Sequence, residues 1–183
     1  MAEVTRRSAL MAGAGAATLA MPGLLKAKSV EAPSDVIVVG AGVFGAWTAR
    51  RLQEIGRRVT LVDAWAPAHA RASSGGESRM TRGAYGPDEV YTRMAWESLA
   101  DWKALSSIAG LPLFHETGVL FFFPRTEPYV EDSLRVHAKL GLPTERLDNP
   151  ALRRRFPMID FTGIEVGLFE PRFGALMARR AVQ

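Results

Sequence analysis

An α/β fold built on a parallel βαβ unit is what this 183-residue sequence predicts, and three observations predict it. Asp35-Val36-Ile37-Val38-Val39 is a continuous apolar, β-branched run, the pattern of a parallel strand buried on both faces. Gly40-Ala41-Gly42-Val43-Phe44-Gly45 follows without a break and leads into good helix formers over residues 46–55, stopped at Gly56. Arg58-Val59-Thr60-Leu61-Val62-Asp63 is a second strand ending in an acid. The composition is that of a globular chain, 48% hydrophobic and 23% charged, which argues against wholesale disorder or a collagen-like or membrane-embedded protein. Cysteine is absent, so disulfides, thiolate metal sites and cysteine nucleophiles are excluded. The three histidines, His69, His115 and His137, are too widely spaced for a histidine-rich zinc site, and no metal is expected.

The first 32 residues read as a segment apart from the fold. Arg6-Arg7 precedes Leu10-Met11-Ala12-Gly13-Ala14-Gly15-Ala16-Ala17-Thr18-Leu19-Ala20-Met21, and Pro22-Gly23 then breaks any helix. A basic start, a short apolar middle and small residues at Ala27 and Ala32 are the parts of an export signal. The apolar run is well short of the roughly 20 residues a membrane span needs. Thr5-Arg6-Arg7-Ser8-Ala9-Leu10 resembles the twin-arginine motif, with Ala9 at the usual aromatic position. Passage through the twin-arginine export machinery to a periplasmic or extracellular site is therefore expected, with cleavage after Ala27 or Ala32. The alternative is a disordered basic tail on a cytoplasmic protein. Removing residues 1–32 lowers the formal charge from +4 to +2, which makes no case for a nucleic-acid partner.

A lone GxGxxG is weak evidence, but strand, glycine turn, helix, strand and acid occur here in the order a dinucleotide site requires. Gly40 permits the tight turn, Gly42 lets a pyrophosphate approach the backbone, and Gly45 lets the helix pack on the sheet. The helix N-terminus presents unpaired N–H groups to the phosphates. Asp63, 23 residues after Gly40, is placed to accept both hydroxyls of an adenosine ribose and to repel a 2′-phosphate. A glycine turn that binds nothing is the structural alternative. NAD and FAD domains share this fingerprint. The next segment, Ala72-Ser73-Ser74-Gly75-Gly76-Glu77-Ser78-Arg79-Met80-Thr81-Arg82-Gly83-Ala84-Tyr85-Gly86, is a long small-residue loop where an NAD domain would continue into another helix and strand. From spacing alone, Arg79 and Arg82 read as an exposed loop pair contacting solvent or surface acids.

These segments resemble the D-amino-acid-oxidase superfamily of flavoproteins. Pro67-Ala68-His69 and the stretch from Ser73 to Gly86 are similar to its monomeric sarcosine oxidase and N-methyl-amino-acid oxidase branch. So are Glu116-Thr117-Gly118-Val119-Leu120-Phe121, Leu152-Arg153-Arg154-Arg155-Phe156-Pro157 and Glu170-Pro171-Arg172-Phe173-Gly174. The resemblance implies a Rossmann-like FAD-binding domain with the start of an inserted α+β substrate domain. It implies that Gly40, Gly42, Val43, Phe44 and Gly45 hold the FAD pyrophosphate and Asp63 the ribose. It further implies that Ser73, Ser74, Ser78 and Arg79 line the flavin, where a cation stabilises reduced flavin. Arg82 matches the position that holds the substrate carboxylate, a task suited to a guanidinium fork. Arg79 and Arg82 are thus the catalytic candidates. Branch members often carry histidines where this chain has Ser74 and Gly75.

The implied reaction is oxidation of a C–N bond in an amino or N-methyl-amino acid, with hydride passing to flavin, hydrolysis of the imine and oxygen as electron acceptor. Two other readings stay open: an NAD-linked dehydrogenase domain, and a non-catalytic dinucleotide-binding fragment that pairs with a second chain. Family members are roughly twice this length, so the resemblance implies a truncated chain that exposes an apolar sheet edge. The expected organisation is residues 33–110 as FAD-binding βαβ part, 111–169 as the start of the substrate domain, and 170–183 as the opening of the next segment.

The rest reads as scaffold. Residues 88–108 are an amphipathic helix with Tyr91, Ala95, Trp102 and Leu105 near one face. Residues 113–116 and 119–123 are expected to pair antiparallel about Thr117-Gly118. Residues 128–140 form a helix, with His137 a surface residue compensating the dipole at its end. His115 is expected to be packed or solvent-exposed. Pro150 starts a short helix to Arg155, whose three arginines form a solvated face, and residues 164–169 form a further strand.

Overall fold

The structure is a computed structural model that describes residues 34–183; the export signal expected over residues 1–32 lies outside them. Strand β1 (Val36–Val39) pairs in parallel with β2 (Val59–Val62), in the register Val36 to Val59 through Val39 to Val62. Helix α1 (Val43–Glu54) makes the crossover that a parallel pair requires. The Asp35–Arg58 ion pair, 2.9 Å, fastens the open end, and Gly40 N–H bonds to the Val62 carbonyl at 2.7 Å where the turn leaves the ladder.

The expectation that β1 is buried on both faces is corrected. Val36 and Val38 are half-buried, with Val38 on the α1 side, whereas Ile37 is 66% and Val39 82% exposed. Among the described residues only one face of this two-stranded sheet carries a helix, so alternate side chains are left open to solvent.

The long loop after β2 holds one 3-10 turn (Ser73–Gly75) and the two-residue strand β3 (Arg79–Met80). Helix α2 (Glu89–Ala109) then runs for 21 residues and stops at Gly110 in the left-handed conformation, φ 63°. Its buried stripe is Thr92, Leu99 and Trp102, with Ala95 and Trp96 packed beside it. Tyr91, expected on that stripe, lies one position off it and is exposed, its ring 5.8 Å from that of Tyr85.

Strands β4 (Phe114–His115) and β5 (Val119–Phe123) do not form the expected hairpin. The strand β8 (Ala175–Leu176) inserts between β3 and β4 in a three-stranded antiparallel sheet. β5 instead pairs with β7 (Val166–Glu170), which is central in a second antiparallel sheet flanked by β6 (Glu145–Asp148). The chain between β4 and β5 is held by the segment after β7: Gly118, at φ 77°, donates its N–H to the Phe173 carbonyl at 2.9 Å. A Cβ on Gly174 would lie 2.0 Å from the His115 carbonyl oxygen, a close approach only glycine permits.

Helix α3 (Pro128–Leu140) covers the second sheet, and Val130, Val166, Leu168 and Ala84 form one core cluster with Phe121, Phe123, Tyr129 and Leu134. Helix α4 (Asn149–Arg155) is capped by the Asp148 carboxylate on Ala151 N–H, 2.8 Å. It drives the fully buried Leu152 onto Gly167 of β7, where a Cβ would lie 2.6 Å from a Leu152 methyl. The short helix α5 (Ala178–Val182) ends the chain. Leu152→Ala is expected to cost about 2–5 kcal/mol through the cavity left against β7, read as a lower urea midpoint with unchanged slope; an unchanged midpoint would show that the two elements close over the gap.

Candidate functional site

The glycine turn is sharp, tightly packed on its inner side and open on its outer side. Gly40 adopts φ 101°, a conformation that side chains resist, and lets β1 turn sharply into α1. A Cβ on Gly45 would lie 1.7 Å from the Gly40 carbonyl oxygen, so the helix packs on the turn only because residue 45 has no side chain. A Cβ on Gly42 would have no neighbour nearer than Ser74 Oγ at 4.0 Å, which leaves the open approach a phosphate needs. Helix α1 starts without a capping side chain from Gly42 and without an acid in its first turn. Its positive end carries no acid of its own, the Val43 N–H donating to Ser74 Oγ at 3.2 Å.

Asp63 is drawn to that turn. One carboxylate oxygen accepts the Ala41 N–H at 2.8 Å and the other accepts the Trp65 N–H at 2.9 Å. These two backbone donors, Ala41 first, hold its carboxyl below the ordinary aspartate range, with His69 Nε2 at 3.9 Å adding attraction. Asp63 is thus ionised at neutral pH and keeps acceptor capacity beyond the two bonds it makes.

The serine-rich loop folds back beside the turn. Val43, Ser73, Ser74 and Arg79 line a cavity of about 130 Å³, closed by Trp102, Leu176, Ala178 and Val182 among others. Ser74 is buried, Ser73 and Ser78 are exposed. The Arg79 guanidinium bonds to the Ser73 carbonyl and, at 2.8 Å, to the Ser78 carbonyl, so it staples its own loop. Arg179 of α5 grips the same loop, with Nε and Nη2 on the Gly75 carbonyl at 3.0 and 2.7 Å and Nη1 3.2 Å from Glu77. Phe44 is 88% exposed at the start of α1.

Arg82 is placed differently. Its side chain is exposed, with its guanidinium carbon 5.1 Å from the centre of the Tyr85 ring, and it makes no ion pair among the described residues. Its backbone neighbours are buried and pinned from three elements. The Gly83 carbonyl accepts from Thr92 of α2 at 2.9 Å, and the Ala84 carbonyl from the Tyr129 hydroxyl of α3 at 2.6 Å. Gly86 N–H donates to Ser133 of α3 at 2.9 Å, and Gly83 N–H donates to both carboxyl oxygens of Glu170 at 3.1 Å.

Glu170 and His137 are the residues that sequence reasoning missed. In the sequence Glu170 stands out only within Glu170-Pro171-Arg172-Phe173-Gly174, and His137 reads as a surface residue. The structure corrects the latter: His137 is 1% exposed, because the helical repeat puts it on the α3 face shared by Val130, Ser133 and Val136. Its Nδ1 bonds to Thr144 Oγ1 at 2.9 Å, while its Nε2 is buried without a hydrogen-bond partner, 3.5 Å from Glu170. Burial pushes the Glu170 carboxyl up to about 7, against the pull of the Gly83 and Ala84 amides, and burial pushes His137 down. His115 is exposed, within the expectation for it. Arg153, Arg154 and Arg155 are exposed as expected, Arg155 pairing with Glu145 at 2.5 Å and lying over the Phe169 ring.

The structure therefore gathers Gly40, Gly42, Val43, Gly45, Asp63 and Ser74 in one place, puts Ser73 and Arg79 on the adjoining cavity, and sets Arg82 beyond β3 beside Tyr85. No cluster with metal-ligating composition occurs among the described residues, nor a helix long and apolar enough to cross a membrane.

Comparison with known proteins identifies the family and the fold. A family model described as FAD dependent oxidoreductase matches residues 35–183. Peroxisomal sarcosine oxidase of Mus musculus is 36% identical over 149 residues, 81% of this chain and 38% of that protein. N-methyl-L-tryptophan oxidase of Yersinia pestis is 30% identical over the same length, covering 40% of that protein. Among solved structures, NikD, described as an unusual amino acid oxidase essential for nikkomycin biosynthesis, is 27% identical with a TM-score of 0.61, over 81% of this chain and 39% of NikD. L-Proline dehydrogenase from P. horikoshii superposes with a TM-score of 0.70 at 24% identity, over 81% of this chain and 39% of its own, which shows the shared fold. The chain spans about two fifths of the length of these relatives.

The ionisation of Glu170 leaves a signature in stability. A carboxyl raised in the folded state binds a proton that the unfolded chain has released, so its contribution is full below pH 4.5 and declines as pH rises toward 7. His137, lowered from 6.5, acts in the opposite sense, its contribution lost as pH falls below 6.5. Glu170→Gln removes the first effect alone. Its urea stability relative to the wild type is expected to improve steadily between pH 4.5 and 7; a difference that stays constant across that range would refute the raised carboxyl.

Proposed function

The chain belongs to the FAD dependent oxidoreductase family, and from that premise we propose that it takes part in oxidising the C–N bond of a small amino or N-methyl-amino acid. The observation that carries this reading is Arg82: an exposed guanidinium with no ion-pair partner among the described residues, next to a backbone held from three elements. A cationic side chain that is free in itself but rooted in a firmly held backbone is suited to a ligand of opposite charge. The similarity to a sarcosine oxidase and an N-methyl-L-tryptophan oxidase supports a substrate with an α-carboxylate.

In this reading the α1 N-terminus and the backbone of residues 40–45 hold the pyrophosphate of FAD, and Asp63 the adenosine ribose. The open face of Gly42 and a helix end with no acid of its own fit an anionic diphosphate, and the ionised Asp63 fits a ribose bearing free hydroxyls. Bound FAD supplies the two-electron acceptor for the carbon next to nitrogen. Ser73, Ser74, Ser78 and Arg79 form the wall nearest the flavin, Arg79 contributing a cation beside it. Arg82 takes the substrate carboxylate in a two-pronged hydrogen bond and so sets which carbon faces the cofactor. Oxygen is the electron acceptor we propose for the completed cycle.

The chain is expected to bind FAD, read as quenching of flavin fluorescence on titration. Gly42→Val fills the open approach and is expected to weaken binding by about 100-fold or more, while far-ultraviolet circular dichroism is unchanged. Equal affinity in this variant would place the cofactor elsewhere. Arg82→Ala is expected to raise the KM for the amino-acid substrate by about 10- to 100-fold, the worth of a charge-assisted pair, leaving FAD affinity intact. An unchanged KM would remove Arg82 from the substrate site.

Export by the twin-arginine route is proposed on Arg6-Arg7 and the apolar stretch after them. Joint replacement of both arginines by lysine is expected to retain the protein in the cytoplasm in a fractionation assay; continued export of the doubly substituted protein would assign the segment to another route.

A further inference from the structure

The segment that follows Arg82 is buried, yet it is not part of any sheet ladder that pairs its backbone. Gly83 and Ala84 are closed to solvent, and a Cβ on Gly83 would lie 2.8 Å from the Phe173 ring and 3.1 Å from a Glu170 oxygen. Unpaired amides here are costly, so the identity of the acceptor decides where the loop sits. That acceptor is Glu170, at the end of β7 where it registers with Val119 of β5, among the most constrained strands of the molecule. A carboxyl that is 0% exposed is an expensive way to pair the Gly83 amide, which a carbonyl oxygen or a serine hydroxyl would serve. The second buried polar group beside it, His137 with an orphaned Nε2 at 3.5 Å, adds to that cost.

We propose that Glu170 is the positioning residue for Arg82: by fixing the Gly83 and Ala84 amides it sets the direction in which Arg82 offers its guanidinium to an anionic substrate group. Glu170 acts through the loop and touches neither cofactor nor substrate. The inference rests on the reading of Arg82 as the carboxylate-binding residue. Thr92 and Tyr129 hold the Gly83 and Ala84 carbonyls and Ser133 the Gly86 amide, while Glu170 is the side chain that accepts the Gly83 N–H, the amide next to Arg82. The charged and titratable groups that face Glu170 are His137 and Tyr129 from α3 and Arg82 from the loop itself. The Ala84 amide is the second backbone donor directed at the carboxyl. A neutral side chain with a carbonyl oxygen in the same place keeps an acceptor for Gly83, whereas an apolar side chain of the same volume removes it.

The test is amide hydrogen exchange in the whole chain, comparing wild type, Glu170→Gln and Glu170→Met. In Glu170→Met the Gly83 and Ala84 amides are expected to exchange at least about tenfold faster, the cost of a buried donor left unpaired, while Phe121 and Leu168 in the neighbouring strands hold their wild-type rates. Glu170→Gln is expected to restore Gly83 to near its wild-type rate. Unchanged exchange at Gly83 and Ala84 in Glu170→Met, or acceleration in step with Phe121 and Leu168, overturns the proposal, since Glu170 would then serve general stability or nothing local. If Glu170→Met does not fold, the wild-type Gly83 amide chemical shift decides: it is expected to titrate between pH 5 and 9 and to be flat in Glu170→Gln, and a flat wild-type profile overturns the proposal. Acetate titration followed on the Arg82 side-chain N–H reads the underlying assignment separately. A saturable wild-type shift that weakens in Glu170→Met supports positioning. A wild type that does not respond to acetate removes the carboxylate role of Arg82, and with it the functional half of the proposal, while the exchange rates still report the loop.

Discussion

Buried backbone has to find hydrogen-bond partners, and the segment from Gly83 to Gly86 finds most of them in side chains rather than in another strand. Thr92, Tyr129, Ser133 and Glu170 supply them from α2, α3 and β7. Each of these side chains is in turn fixed by the packing of its own element: Thr92, Ser133 and Glu170 are fully buried. The loop is therefore the place where two helices and a sheet meet, and its geometry depends on all three. Arg82 stands at the edge of this junction. The scaffold reaches it through the backbone and leaves its side chain outside.

The glycine turn obeys a different constraint, that of space. Gly45 is required by the Gly40 carbonyl and Gly40 by its own positive φ, so the turn tolerates little change. Asp63 and Ser74 then bind the turn from opposite directions, one through Ala41 N–H and the other through Val43 N–H. Those contacts join the parallel βαβ unit to the serine-rich loop. Arg179 joins that loop to the last helix through the Gly75 carbonyl, and β8 pairs with both β3 and β4. Residues far apart in sequence, 75 and 179, thus hold the wall beside the turn. A glycine motif by itself says nothing of such a wall.

The sequence made the strongly periodic elements legible, and the site where chemistry forces a local pattern. The β1–α1–β2 unit and helices α2, α3 and α4 follow from β-branched runs, helix formers, Pro at helix starts and Gly at helix ends. What escaped lacked a local signal. Glu145-Arg146-Leu147-Asp148 is an edge strand, its outer side without a strand partner among the described residues, and it carries three charged residues in four. β3 and β8 are two residues each, too short for alternation to register. The supposed hairpin at Thr117-Gly118 failed because a long-range bond from Gly118 to Phe173 redirects the chain, and nothing nearby in sequence announces that partner. His137 was misplaced for the opposite reason. A plausible local role at a helix end was outweighed by the face on which the helical repeat set it.

The two arginines of the loop show how position separates residues that look alike in sequence. Three residues apart, Arg79 and Arg82 share a charge, an exposed side chain and a glycine-rich setting. Arg79 spends its guanidinium on the carbonyls of Ser73 and Ser78, within its own loop and along the cavity next to the α1 N-terminus. A cation used in this way fixes the loop and adds positive potential to the wall, and removing it would loosen both together. Arg82 lies beyond the β3–β8 pairing, where the loop has already been fastened through Glu170, and its guanidinium lies over the face of Tyr85. Strand β3 is what divides them, since pairing Arg79 and Met80 to β8 consumes the backbone that would otherwise let the two side chains converge. One arginine is thereby committed to holding the loop, and the other leaves its guanidinium exposed to solvent.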